Sequence, residues 1–132
     1  MDQSIKSEQL KDRTKRFAVT IVHLFRSLSK TDEACILGKQ LLRSGTSVAA
    51  NYRAVCRARS KAEFISKMGI VVEEADETVF WLELLAEAKV VEEKNVEKIK
   101  TEANELLAIF ASPFHTAKYG KNGSIKNESM KK

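Results

Sequence analysis

Lys39, Arg43, Arg53 and Arg57, with Thr46 and Ala50 between them, follow one another at intervals of 4, 3, 4, 3 and 4 residues. On a helix that spacing lines them along one face. A cationic row at helical pitch can follow a phosphate backbone, and each guanidinium can grip a phosphate through two donors. Arg59, Lys61 and Lys67 extend the positive charge beyond the row. The chemistry on offer is therefore the binding of a polyanion. A charge row is also the usual look of a solvated face or of internal salt bridges. Counting outward from Ser60, Arg43 falls opposite Glu77, and Thr46 or Ser47 opposite Glu74. An Arg43–Glu77 bridge inside a helical bundle is the competing expectation.

The net charge of +5 conceals a divided molecule. From Lys39 to Val72 there are seven basic residues and one acid, Glu63; from Glu73 to Glu105 there are eleven acids and four lysines. Segregation on that scale governs how a protein meets other molecules.

Nothing in the sequence has the spacing of a catalytic or metal site. A carboxylate-bridged metal bundle needs Glu-x-x-His pairs that project from one helical face. Thr20 lies three residues before His23 and Ser112 three before His115, so neither histidine fits. Cys35 and Cys56 lack zinc-ligand spacing. In one helix they stand roughly 30 Å apart, beyond the ~7 Å that a disulfide spans, and both are expected as buried small hydrophobes. No glycine-rich phosphate loop or nucleophile motif appears. The expectation is a protein without enzymatic activity, cofactor, metal or small-molecule substrate.

The elements that would carry the basic row are helical. Five Gly and one Pro in 132 residues suit long helices with short links. The length suits one domain that buries its own core. Leu10, Thr14, Phe17, Ile21, Leu24 and Leu28 form the stripe of a first helix over Gln9–Leu28. A second, capped by Thr31 or Asp32, spans Asp32–Ala58. Its inward line is Ala34, Leu37 or Gly38, Leu41, Gly45, Val48, Tyr52 and Val55. Gly45, inside the polar run Ser44–Ser47, marks close helix packing or else a ligand groove or subunit contact. Ser60-Lys61-Ala62-Glu63 is a capping box in which the Glu63 side chain returns to the Ser60 amide. The third helix then spans Lys61–Lys89, with Phe64, Met68, Val71, Ala75, Thr78, Leu82 and Leu85 on its seam. The fourth spans Asn95–Ser112 on Val96, Ile99, Ala103, Leu106 and Phe110, with Pro113 kinking it or opening a short further helix to Tyr119. The fold class is all-α: an antiparallel up-down four-helix bundle over residues 1–119, followed by a disordered basic tail over 120–132. Phe80 and Trp81 widen the apolar side of the third helix beyond what one bundle interior needs, which suggests a homo-oligomer interface. No run reaches the roughly 18 apolar residues of a membrane span. The start has no apolar signal region, so a cytoplasmic location is expected.

Four segments carry a family resemblance. Gln40–Ala54 (QLLRSGTSVAANYRA) resembles the second-helix signature of the 23S rRNA intervening-sequence proteins, also called the S23 family. Arg57–Met68 is similar to their turn between the second and third helices. Glu73–Leu85 (EEADETVFWLELL) resembles their third-helix signature, and Ala103–Leu107 fits the fourth. The resemblance covers roughly residues 8 to 118. It implies a four-helix bundle in a ring-like homo-oligomer, typically a pentamer, without enzymatic activity. It also points to bacterial genes lying within 23S rRNA inserts or standing free. A related branch, the accessory proteins of diversity-generating retroelements, binds nucleic acid and a reverse transcriptase.

The expected function is a homo-oligomeric bundle that binds nucleic acid, RNA first, through Lys39, Arg43, Arg53, Arg57, Arg59, Lys61 and Lys67 and the lysine tail. The alternative is a protein-interaction scaffold or accessory subunit that docks through the acidic face of the third helix.

Overall fold

The computed structural model describes residues 3–120, and the expected basic tail beyond Gly120 lies outside them. Four helices follow one another: α1 (Gln3–Ser27), α2 (Asp32–Cys56), α3 (Lys61–Glu87) and α4 (Glu93–Tyr119). The short links force antiparallel neighbours. α2 packs on α1 and α3, and α3 on α4, while α1 and α4 meet least. The fold is the expected four-helix bundle.

Each helix begins or ends for a local reason. Thr31 Oγ1 accepts from the Ala34 amide at 3.3 Å and starts α2. Ser60 Oγ accepts from the Glu63 amide at 3.0 Å and starts α3. The Glu63 carboxylate returns to the Arg59 amide at 2.8 Å, one residue before the Ser60 amide expected from the capping box. The expected continuation of α3 to Lys89 stops two residues short. Lys89 adopts a left-handed φ of 62°. Its amide bonds Ala86 O, and the Val90 amide reaches back to Leu85 O at 2.9 Å, which closes the helix C-terminus.

α1 begins at Gln3, six residues before the start read from its stripe, because its first turns are polar. α4 runs through Pro113 to Tyr119 as one helix. Proline removes one intrahelical hydrogen bond. Phe114 offsets that loss by packing on Gly69 of α3 (3.2 Å from the place of a Gly69 Cβ).

The core lies along the four seams: Phe17, Ile21 and Leu24 of α1, Leu41, Val48 and Tyr52 of α2, Val71, Leu82 and Leu85 of α3, and Val96, Leu106 and Phe110 of α4. Each such aliphatic side chain contributes roughly 1.5–3 kcal/mol when fully buried. Gly38, not Leu37, occupies the α2 seam, and Leu10, Phe64 and Ile99 are only half-buried at the stripe ends. Cys35 and Cys56 are free and half-buried, less enclosed than expected.

Gly45 faces Ile21, whose Cγ1, Cγ2 and Cβ would stand 2.8, 3.0 and 3.3 Å from a Cβ at that position. Close packing of α2 on α1 therefore explains this glycine, with no groove over it. Beside it on the α3 side, the buried Ser44 and Thr78 hydroxyls lie 3.1 Å apart.

The α1–α4 seam is held differently. Arg13 Nε and Nη2 donate to the two oxygens of Glu102, each at 2.7 Å, and Nη2 also reaches Glu105 at 2.7 Å. The hydrogen bonds to Glu102, more than those to Glu105, hold the guanidinium well above its ordinary range. Further along, the seam opens into a cleft of about 760 Å³ lined by Leu10, Tyr52, Cys56, Phe64, Met68 and Phe110.

Candidate nucleic-acid interface

The α2 outer face and its end carry Lys39, Arg43, Arg53 and Arg57, all exposed, as the spacing implied. The structure divides this row. Arg43 Nη1 donates to Glu74 at 3.1 Å, and its Nη2 donates to Glu77. Glu77 also accepts from Trp81 Nε1 at 3.1 Å. Arg43 is thus bound into an α2–α3 network, and its charge is already met. The bundle salt bridge that the sequence offered as the competing expectation is present, with Glu74 as a second partner. Asn51 donates to Ser47 O of its own helix at 2.9 Å.

Lys39 stays in the second turn of α2, while the other five cations gather toward the opposite end of that helix. Arg53 lies in its last turn, Arg57 follows its last residue, Arg59 sits in the link, and Lys61 and Lys67 lie in the first turns of α3. Ala54, Arg57, Arg59, Glu63 and Lys67 line a shallow notch of about 350 Å³ at this corner. Arg59 pairs loosely with Glu63 at 3.5 Å but keeps 87% of its side chain exposed. Among the described residues, Lys39, Arg53, Arg57, Lys61 and Lys67 make no ion pair. The positive end of the α3 dipole lies at the same corner.

Two further cations belong to this pole, and sequence reasoning missed both. Antiparallel packing brings the start of α1 and the end of α4 to the corner, so Lys6 and Lys118 join it. Lys6 precedes any apolar periodicity and left no signal. The end of α4 did leave one: Phe110, Phe114 and Ala117 continue the stripe across Pro113. Lys118 Nζ lies 5.5 Å from the Phe114 ring centroid and 5.4 Å from that of Tyr119.

The expected oligomer contact residues are where a second copy could reach them. Phe80 is 51% exposed, and Trp81 is half-buried with its ring edge-on to Phe80 at 4.9 Å. Ile36, on the outer face of the neighbouring α2, is 62% exposed. Along α3, Glu73, Asp76, Glu83 and Glu87 make no ion pair among the described residues.

The same fold exists in a relative. A solved protein of unknown function from the S23 ribosomal protein family of Bacteroides thetaiotaomicron VPI-5482 superposes with a TM-score of 0.76 at 38% identity, over 83% of this chain and 97% of that one. The model of the 23S rRNA-intervening sequence protein family matches residues 6–112. The chain belongs to that family. No curated protein matches it.

For a 23S rRNA-intervening sequence protein, the match to residue 112 takes in the whole corner from Arg53 to Lys67 and leaves the last turns of α4 outside it. Among the described residues, no group of three or more His, Cys, Asp or Glu side chains could hold a metal ion. No described helix is long and apolar enough to cross a membrane.

Proposed function

We propose that this 23S rRNA-intervening sequence protein is a non-enzymatic, homo-oligomeric nucleic-acid-binding bundle of the cytoplasm that takes structured RNA against its α2–α3 corner. The observation that carries the reading is the set Arg53, Arg57, Lys61 and Lys67, gathered at one corner with no acid among the described residues paired to any of them. A bundle that only needed solvated charge would have no reason to collect it there. Arg43, drawn into the α2–α3 network, serves the scaffold and not the ligand. Self-association through Phe80 and Trp81 would repeat the corner around a ring, and repetition turns weak phosphate contacts into tight binding.

Fluorescence anisotropy of a labelled hairpin RNA across a salt series tests this. Affinity is expected to fall steeply with salt, with a log–log slope of about −0.9 for each duplex phosphate neutralised. Arg53→Glu with Arg57→Glu is expected to flatten that slope while leaving the helical circular dichroism unchanged. A wild-type protein that ignores the hairpin at low salt would overturn the proposal. The unpaired acids of α3 then become the stronger surface. The matching result would be a pull-down that survives nuclease treatment and is lost on Glu83→Lys with Glu87→Lys.

A further inference from the structure

The last turn of α4 presents aromatic rings at the basic pole. His115 and Tyr119 lie one helical turn apart with centroids 5.7 Å apart and planes 20° from parallel. His115 is exposed, Tyr119 is half-buried, and Phe114 leans on His115 at 5.3 Å and 59°. Phe114 packs on Gly69 of α3, which anchors the turn that carries these rings. Lys118 stands over the Phe114 and Tyr119 rings with its ammonium 5.5 and 5.4 Å from their centroids. Up-down topology puts this turn at the same end as Arg57, Arg59, Lys61 and Lys67.

We infer that this pole binds an unpaired stretch of RNA, with a base stacking on the His115–Tyr119 pair while Lys118 and the corner cations hold the adjoining phosphates. The inference rests on the nucleic-acid reading above and narrows it from RNA in general to single-stranded segments. Duplex RNA hides its base faces within the helix. Loops, bulges and ends can splay a base out onto an aromatic side chain. Two rings that already stand nearly parallel offer a stacking face to a third planar ring. A cation beside stacked rings, at the same end of the bundle as a basic notch, is the combination that single-strand binders use. The basic corner alone would take any phosphate backbone; the rings discriminate in favour of one whose bases are free.

The test uses the full chain and two labelled probes: an oligoadenylate of about 12 nucleotides and an abasic ribose-phosphate chain of equal length. His115→Ala with Tyr119→Ala is expected to weaken oligoadenylate binding roughly tenfold. The same double variant should leave abasic-chain binding and the salt slope unchanged. Tyr119→Phe, which keeps the ring, is expected to bind like wild type. Should the alanine pair shorten α4, His115→Leu with Tyr119→Leu keeps apolar bulk without the ring faces and should show the same selective loss. If the ring-less variants bind oligoadenylate as wild type does while Arg53→Glu with Arg57→Glu loses both probes, stacking is refuted and the phosphate-binding reading stands. If the wild type binds neither probe and no hairpin, both fall together.

Discussion

Thr78 and Ser44 hydrogen-bond across the α2–α3 seam at 3.1 Å, at the level where Arg43 bridges to Glu74 and Glu77 outside. Each hydroxyl also reaches a carbonyl of its own helix, Glu74 O at 2.7 Å and Leu41 O at 3.3 Å. A buried polar contact inside a surface ionic network fixes the register of the two helices. An apolar seam alone could slide by a turn at lower cost.

That pairing leads to a prediction about additivity. Ser44→Ala and Thr78→Val should each destabilise by about 1 kcal/mol, since a backbone carbonyl still satisfies the hydroxyl that remains. The double variant should cost clearly less than the sum, because each single variant already loses the one cross-seam hydrogen bond and the second substitution cannot lose it again. Urea melts of the four proteins measure the coupling, and strict additivity would remove the register role.

Gly45 and Gly38 should respond in opposite ways to alanine. A Cβ at Gly45 meets the branch point of fully buried Ile21. Overpacking of roughly 1–3 kcal/mol should then outweigh the roughly 1 kcal/mol that alanine contributes to the helix. At Gly38 the nearest atoms are the Leu28 Cδ1 tip and the ring edge of half-buried Phe25, which can move aside. Gly45→Ala should lower Tm by several degrees, and Gly38→Ala should leave it unchanged or raise it. Equal shifts would show that α1 yields as easily at Ile21 as at its C-terminal end.

Much of the fold and part of the site are legible in the amino-acid sequence, for identifiable reasons. The seam residues of α2 and α3 repeat at strict intervals of three and four, so periodicity finds the core and the antiparallel pairing. That pairing in turn places Arg43 against Glu77 by counting alone. The division of the basic row is less visible. Which cation keeps its charge free depends on side-chain reach: Arg43 stretches to two acids on α3, while Arg53 and Arg57 pair with no acid among the described residues. The start of α1 leaves no trace because Ser4 to Gln9 has no apolar period. The end of α4 is obscured by Pro113, whose missing hydrogen bond suggests a break that packing of Phe114 prevents.

Alkaline unfolding should expose Tyr52. Burial, followed by the neighbouring Cys56 thiol, pushes its phenol up to about 12. The unfolded phenol ionises near 10. A folded value above the unfolded one means full stability below pH 10, lost as pH rises from about 10 toward 12. The contribution is up to about 3 kcal/mol by linkage. Tyr52→Phe should remove that part of the alkaline decline, leaving a flatter stability profile over the interval. A decline that persists unchanged in the variant would assign it to other groups.

Self-association can be tested directly at Phe80. Phe80→Glu, with Trp81 left in place, removes exposed apolar surface without touching the half-buried Trp81–Glu77 hydrogen bond. Sedimentation equilibrium should show wild type above monomer mass and Phe80→Glu shifted toward monomer, with both equally helical. An unchanged mass would move the contact elsewhere on the bundle.

Separating the cationic corner from the acids of α3 gives the molecule a permanent electric dipole. In the field of a polyanion, such a body rotates before it touches. Encounters would arrive corner-first, so fewer collisions are wasted than for the same charges spread evenly. Under the proposed function the segregation would act on the speed of capture as well as its strength, and moderate salt should slow association before it hastens release.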